Sequence, residues 1–218
     1  MDWTRTIDSY CERMGPDYWA EPINAVTNLA FILAAIFMWR RSQGDRLAQL
    51  LCATLFAIGV GSYLFHTHAQ TWAALADVLP IGAFILIYIF AINRVGWGMS
   101  PLIALGATAL FIPYAALTVP LFQKLPGLGS SAGYAPLPLL IGIYALLLYR
   151  RAPQLARGLA IGAGLLILSL TFRTLDMPLC PNWPLGTHFA WHLLNGLMLG
   201  WMIAVYLRAA LGKARADR

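Results

Sequence analysis

The stretch WAALADVLPIGAFILIYIFAIN, residues 72–93, decides the fold class, because Asp77 is its only charged residue in 22 positions. About 20 apolar residues are enough for a helix to cross the hydrocarbon core of a bilayer. Lipid offers no water to satisfy backbone polar groups, so a run of this length must be helical. The stretch therefore predicts a membrane-spanning helix.

Runs of the same kind recur along all 218 residues of the chain, which is 60% hydrophobic and only 11% charged. A soluble domain carries roughly a quarter charged residues, so the composition excludes an ordinary globular protein. The sequence predicts an all-α integral membrane protein: one domain, 1–218, with seven transmembrane helices in one bundle. An acidic segment, 1–22, precedes them and lacks the apolar core of a signal peptide. The predicted spans lie near 24–42, 46–66, 72–93, 99–121, 134–150, 155–174 and 187–210.

The basic residues predict an N-terminus outside and a C-terminus inside. Four of the fifteen lysines and arginines then lie outside, and the other eleven, including Arg218, lie inside. This inner charge suits anionic lipid head groups. Because the basic residues are dispersed over short loops, we expect membrane lipids as partners and no nucleic acid.

Histidine is scarce, and the predicted topology brings most of it to one leaflet. His66 ends the second span, and His188 and His192 open the last one, in the sequence THFAWH. Asp77 lies about one turn into the third span, on the same side. Ionisable residues inside a membrane are costly unless they are paired or bound to metal, so four at one depth indicate a site.

The spacing of these residues predicts a zinc site. His188 and His192, at i and i+4, share one helical face, and His66 supplies a third imidazole. Three nitrogen ligands leave a tetrahedral zinc one open position for water, which becomes a nucleophile at neutral pH. Asp77 would orient that water and accept its proton, and the Ser62 hydroxyl would donate to the oxyanion.

Each of these residues also has a plainer interpretation. An isolated H-x-x-x-H pair is a weak signal in a soluble helix, and Ser62 resembles a small packing residue between helices. His68 is predicted to be a surface histidine in the short loop after the second span. Asp176 is interpreted as a solvated loop or capping residue, while Asn24 and Asn28 either cap the first span or brace the site.

The N-terminal segment is unusually acidic, with Asp8, Glu12, Asp17 and Glu21 just outside the first span. Hard oxygen ligands from a flexible segment suit calcium. The alternative is an ordinary acidic loop that Arg13 partly neutralises, and spacing alone favours this alternative.

Two of the three cysteines, Cys11 and Cys180, fall on the predicted outer face. In an oxidising compartment they could form a disulfide, or they could stay reduced. Cys52, within the second span, is predicted to be a buried, inert thiol.

A combination of motifs resembles the alkaline ceramidase family, particularly its bacterial branch. The motifs are CER at 11–13, AEPINAVTN at 20–28, S-x-x-x-H ending at His66, Asp77 eleven residues later, and H-x-x-x-H on the last span. The resemblance runs from about residue 7 to 205. The family is similar to a wider superfamily of seven-helix membrane hydrolases that includes adiponectin-receptor-like proteins.

The resemblance implies a zinc-dependent amidase that hydrolyses ceramide-like lipid amides to a sphingoid base and a fatty acid. It also implies a bridge between Cys11 and Cys180, and a place in a bacterial inner membrane with the metal toward the outer face. Ser9 stands where the animal enzymes have an aspartate, so Asp8 is the expected substitute. The implied residues are His66, His188 and His192 for zinc, Asp77 and Ser62 for catalysis, and Asp8, Glu12 and Glu21 for calcium.

Two functions without hydrolysis compete with this reading. A proton-coupled transporter would need polar residues at both faces and broken helices near the midplane, whereas the ionisable residues here crowd one leaflet. A lipid-sensing receptor could hold a purely structural zinc, with Asp77 as a fourth ligand. For the enzyme, we expect a ceramide-like lipid that enters sideways from the bilayer.

Overall fold

The computed structural model describes residues 2–216, which form helices joined by short turns. Arg218, counted above with the inner basic residues, lies outside the described residues. The described part contains a short 3-10 helix, Gly129–Ser131, and nine α-helices: α1 Pro22–Thr27, α2 Leu29–Arg41, α3 Arg46–His68, α4 Thr71–Gly96, α5 Pro101–Ala109, α6 Phe111–Gln123, α7 Pro136–Leu148, α8 Pro153–Leu179 and α9 His188–Ala216.

The helices make a multi-pass membrane protein. Helices α1 and α2 run together as one span, and so do α5 and α6. Six spans are long and apolar enough to cross a membrane: Pro22–Arg41, Arg46–His68, Thr71–Gly96, Pro101–Gln123, Pro153–Leu179 and His188–Gly212.

The remaining predicted span, 134–150, is a shorter helix than the sequence indicated. Helix α7 has 13 residues, or about 20 Å, against a hydrocarbon core of about 30 Å. It begins at Pro136 because a proline, which lacks an N–H, fits the first turn of a helix. Tyr134 and Ala135 belong to the preceding turns. The count of seven spans and the predicted orientation therefore stay predictions.

Two breaks within the spans have local causes. Helices α5 and α6 separate at Leu110, because Pro113 has no N–H to donate to the carbonyl of Ala109. Helices α1 and α2 separate at Asn28, whose side-chain amide donates to the carbonyl of Asn24 at 2.8 Å.

The core forms around α3, which packs between α2 and α4, while α9 packs between α2 and α8. Leu51, Leu55 and Ile58 lie at helical spacing on α3 and are fully buried. Near the end of α3, a Cβ atom on Gly61 would overlap the backbone carbonyl of Ala76. The backbones of α3 and α4 are therefore in direct contact there, as is common between membrane helices.

The N-terminal segment lies over the end of the bundle where α3 ends and α4 begins. The N–H of Ile7 donates to the carbonyl of Ala69 at 2.7 Å, and the N–H of Thr71 donates to the carbonyl of Arg5 at 3.1 Å. His68, predicted to lie in the loop, is instead the last residue of α3, and it is exposed as expected. The residues that the sequence assigned to a site all lie at this end.

Candidate metal centre

Three histidines meet at the end of the bundle beneath the N-terminal segment. His66 lies near the end of α3, and His188 and His192 lie in the first turns of α9. Each residue is only 1% exposed, and their ligand nitrogens all lie within 4.8 Å of one another. Among the described residues, this is the one cluster of three or more His, Cys, Asp or Glu side chains that could hold a metal ion.

Glu21 fixes the protonation of His66. The Nδ1 atom of His66 lies 2.6 Å from Oε2 of Glu21. An ionised carboxylate can only accept a hydrogen bond, so Nδ1 carries the proton and Nε2 keeps its lone pair for a metal. Burial acts to raise the pKa of Glu21, but the hydrogen bonds from His66 and Arg13 and the positive charge of Arg13 hold the pKa below its usual value. Asn24 also donates to Glu21, at 3.1 Å, so it braces the site.

Thr27 determines which ring nitrogen of His192 carries the proton. The Thr27 hydroxyl donates to the carbonyl of Ile23 at 2.8 Å and lies 2.9 Å from Nδ1 of His192. Because its single proton is used on the carbonyl, the hydroxyl accepts from Nδ1. The Nε2 atom of His192 is buried and has no hydrogen-bond partner among the described residues. A buried nitrogen with a free lone pair is suited to bind a metal ion.

The ring of His188 is held by stacking. The Tyr10 ring lies over it with the ring centroids 3.7 Å apart, and within residues 2–216 its Nδ1 atom has no hydrogen-bond partner. Burial raises the pKa of Tyr10 to about 12, so its phenol stays neutral at physiological pH. A residue from the N-terminal segment thus forms one wall of the metal site.

Asp176 positions the start of α9. One carboxylate oxygen accepts from the N–H groups of Thr187 and His188 at 2.7 and 2.9 Å, and the other accepts from the N–H of Cys11 at 3.0 Å. The carboxylate therefore caps the first turn of the helix that carries two of the histidines. Of the two interpretations of Asp176, the capping residue is confirmed. The solvated loop residue is wrong, because Asp176 lies within α8, which extends to Leu179, and is 2% exposed.

A disulfide joins Cys11 to Cys180, with their Cα atoms 5.4 Å apart. It ties the N-terminal segment to the end of α8, next to the cap on α9. The predicted bridge is therefore present, and Cys52 is a buried free thiol, as expected.

Ser62 and Asp77 line one cavity with His188. Ser62 is buried, and its side chain lies near the Asp77 carboxylate. The contact between α3 and α4 at Gly61, one residue before Ser62, brings the two side chains together. In the part of the chain that the structure describes, Asp77 is not among the clustered metal-binding groups. The structure thus places it beside the metal site rather than in it.

The cavity continues from the histidines into the apolar interior of the bundle. Phe84 and Tyr88 on α4, Leu166 on α8, and Met202 on α9 line it. The Tyr88 hydroxyl donates to the carbonyl of Met202 at 3.1 Å. Tyr88 lies three turns beyond Asp77 on α4, about 16 Å along the axis. The cavity therefore has a polar end, lined by His188, Ser62 and Asp77, and a long apolar part.

Arg13 occupies the centre of the acidic N-terminal segment. Its Nε atom lies 2.5 Å from Oε1 of Glu21, and both side chains are almost fully buried. Its two terminal nitrogens donate to the carbonyls of Gly15 and His66, each at 3.0 Å. The guanidinium thus neutralises Glu21 and binds the segment to the end of α3.

This arrangement does not fit the calcium site that the resemblance implied. The two oxygens of Glu12 accept from the N–H groups of Ile23 and Asn24, at 2.7 and 2.8 Å, in the first turn of α1. Both oxygens of Glu21 are engaged as well, and Asp8 is exposed. The three predicted ligands therefore do not share a free oxygen site.

The sequence profile of the ceramidase family matches residues 4–217, nearly the whole chain. The chain belongs to the ceramidase family. The resemblance seen in the motifs is confirmed, and membership implies an amide hydrolase that acts on ceramide. No curated protein sequence matches the chain.

Several residues around the site were missed by sequence reasoning. Glu21 was assigned to calcium rather than to His66, and Thr27, Tyr10 and Arg173 were not predicted at all. Thr27 and Arg173 did offer a signal, because each is a polar or charged residue within a predicted span. Tyr10 offered none, since its position depends on how the N-terminal segment folds back.

Proposed function

We propose that the protein is a zinc-dependent membrane amidase that hydrolyses ceramide-like lipid amides to a sphingoid base and a fatty acid. The cluster of His66, His188 and His192 carries this proposal, together with membership of the ceramidase family. Three imidazoles, with no fourth clustered ligand among the described residues, match the ligand count of catalytic zinc.

The chain's own residues suit amide hydrolysis. A zinc ion held by the histidines would supply Lewis acidity and lower the pKa of a water molecule. Glu21 and Thr27 hold two of the imidazoles in the tautomer that presents Nε2. Asp77 accepts the proton of the attacking water and passes it to the leaving amine. Ser62 donates to the oxyanion that forms on the amide carbon.

The substrate path follows from the shape of the cavity. Its apolar part suits an acyl chain, and its polar end holds the amide beside the histidines. We propose that the lipid enters sideways from the bilayer and that the N-terminus lies outside, with the metal toward the outer face of a bacterial inner membrane. Membrane lipids, rather than nucleic acid, are the partners that the composition favours.

The test compares two histidines of different placement in purified protein. Zinc content and the hydrolysis of a fluorescent ceramide are measured for the wild type, His192→Ala and His68→Ala. His68 is the matched control, since it ends α3 but is exposed. We expect about one zinc per chain in the wild type and the control. In His192→Ala, zinc and turnover should be lost together.

Two other results would contradict the proposed function. Zinc bound without release of fatty acid from ceramide or related lipid amides would contradict the hydrolase and leave the metal site standing. A lipid-sensing receptor would then be the better interpretation. Turnover that survives the loss of zinc would contradict the catalytic role of the metal.

A further inference from the structure

Arg173 lies near the end of α8 within reach of three aromatic rings. Its guanidinium carbon is 5.4 Å from the centre of the Tyr10 ring and 5.2 Å from those of Tyr134 and Trp191. Contacts of this length between a guanidinium and aromatic faces are favourable. The aromatic rings therefore hold the side chain in one place.

The hydrogen-bonding groups of Arg173 are mostly unused. Nη1 donates to the hydroxyl of Tyr10 at 2.9 Å, while Nε is buried and has no partner among the described residues. Within residues 2–216, no carboxylate lies within 4.0 Å of the guanidinium. The positive charge thus has no direct counter-ion from this part of the chain.

Two cross-links fix the depth of Arg173. The Ser169 hydroxyl donates to the carbonyl of Trp191 at 3.2 Å, and the Thr187 hydroxyl donates to the carbonyl of Phe172 at 2.5 Å. Arg173 is therefore level with the first two turns of α9, which carry His188 and His192.

Arg173 also lines the cavity that holds Ser62 and Asp77. Arg173 as a whole is half-buried, but its Nε atom is buried and has no partner among the described residues. An unsatisfied buried donor on a charged group is unfavourable. Asp77 is the carboxylate whose charge reaches Arg173 across the cavity, but it lies beyond ion-pair distance. A guanidinium presents a planar fork that matches a carboxylate or phosphate. A carboxylate or phosphate of a ligand in the cavity can therefore accept hydrogen bonds from the free N–H groups of Arg173.

We infer that Arg173 binds an anionic oxygen group, a carboxylate or phosphate, on the amine half of the lipid amide. The inference rests on the proposed function, which places the amide at the histidines and the acyl chain in the apolar part of the cavity. The amine half then lies at the polar end, level with Arg173. Among ceramide-like lipid amides, those with an acidic group on the amine half therefore bind more tightly than neutral ones.

Binding to metal-free protein tests this without any catalysis. The probes are N-palmitoylserine, N-palmitoylserinol, which has a hydroxymethyl group in place of the carboxylate, and N-palmitoylserinol phosphate. Thermal-shift titrations give the apparent Kd of each probe. We expect the two anionic lipids to bind about 10- to 100-fold more tightly than N-palmitoylserinol, because each would form a charge-assisted hydrogen bond with Arg173. Palmitate alone is the fourth probe.

Arg173→Gln should abolish this preference, and Arg173→Lys should retain part of it. Arg157→Gln is the matched control, because it makes the same change at an exposed position of the same helix. The melting temperature of each unliganded variant shows whether it is folded. The wild-type comparison needs no variant, so a misfolded Arg173→Gln protein would leave the test intact.

Hydrolysis of the same lipids separates this inference from the proposed function. If the zinc-loaded protein cleaves all three amides with equal kcat/KM and binds them equally, the anion site is wrong and the amidase stands. If palmitate binds as tightly as the two anionic lipids, Arg173 recognises the carboxylate of the fatty-acid product. The inference is then also wrong. If nothing is cleaved but the anionic lipids still bind tightly through Arg173, the inference survives and the amidase fails.

Discussion

The carboxylate of Glu21 contacts Nδ1 of His66 and so leaves Nε2 as the nitrogen that can bind a metal ion. Residues that hydrogen-bond a ligating imidazole raise its basicity and fix its orientation, and their loss typically weakens metal binding about 10- to 100-fold. Glu21→Gln keeps the shape of the side chain but removes its charge. We therefore expect a zinc dissociation constant raised by about that factor, measured by competition with a chelator.

The control for this change is Asp17→Asn, which removes a carboxylate from an exposed position of the same segment. It should leave the affinity for zinc unaltered. If Glu21→Gln also binds zinc like the wild type, the hydrogen bond to His66 has no part in holding the metal.

We expect the ion pair of Arg13 with Glu21 to make the acidic segment independent of calcium. Breaking a buried ion pair by removing one partner costs about 3–5 kcal/mol, so Arg13→Gln should lower the melting temperature markedly. Arg5→Gln, at an exposed position, should not. For the wild type, added calcium or a calcium-selective chelator should leave the melting temperature and hydrolysis unchanged. A clear stabilisation of the wild type by calcium would contradict this.

The histidines could be predicted from the sequence, but their partners could not. Scarcity, the i,i+4 spacing and the predicted topology were enough to bring His66, His188 and His192 together. Glu21 and Arg13 act through a segment that folds back over the end of the bundle, and no local pattern encodes that path. Spacing alone favoured an acidic loop that Arg13 partly neutralises, and Arg13 does pair with Glu21. The calcium site was implied only by the resemblance.

The interface between α3 and α4 depends on Gly61. A methyl group there would overlap the backbone of Ala76, so Gly61→Ala must push the helices apart. Ser62 and Asp77 would then separate, while the histidines, on α3 and α9, would stay closer to their positions. We expect kcat to fall by more than the affinity for zinc, measured by parallel turnover and zinc titration.

Gly82→Ala is the matched control on α4, since a Cβ atom there meets nothing within 4 Å. It should leave turnover unchanged and, because alanine favours helix over glycine by about 1 kcal/mol, it should not lower stability. Normal turnover in Gly61→Ala would show that the close contact does not position the pair.

The extents of the helices were harder to predict than their existence. Apolar runs located each helix, because the lipid requirement is strong. The ends of the helices depended on single residues. Helix α7 begins at Pro136 rather than near residue 134, and Pro113 divides the predicted span 99–121 into two helices. Asp176 was placed in a loop because Asp176 itself and Pro178 interrupt the apolar run before α8 ends at Leu179.

At the scale of the whole molecule, the number of membrane crossings depends on α7, which is shorter than the six long spans. The Ser131 hydroxyl lies 2.9 Å from that of Thr174 near the site end of α8, and Arg151 donates to the carbonyl of Gly96 at the opposite end of α4. The segment 131–151 thus runs the length of the bundle although its regular helix is short. We expect seven crossings.

Seven crossings put the termini on opposite sides. A green fluorescent protein fused to the C-terminus should fluoresce in the cytoplasm, and a tag at the N-terminus should be accessible from outside intact spheroplasts. The positive charge of the predicted inner loops gives the same orientation. Both termini on one side would mean six crossings.

The most direct test of the metal centre is X-ray absorption at the zinc edge of the purified, active protein. The structure predicts three imidazole nitrogens at about 2.0–2.1 Å and one oxygen from water, with no sulfur ligand. His192→Ala should lose this spectrum, and His68→Ala should keep it. A zinc bound by four protein side chains, or a spectrum that His192→Ala leaves unchanged, would contradict a catalytic zinc at the three histidines.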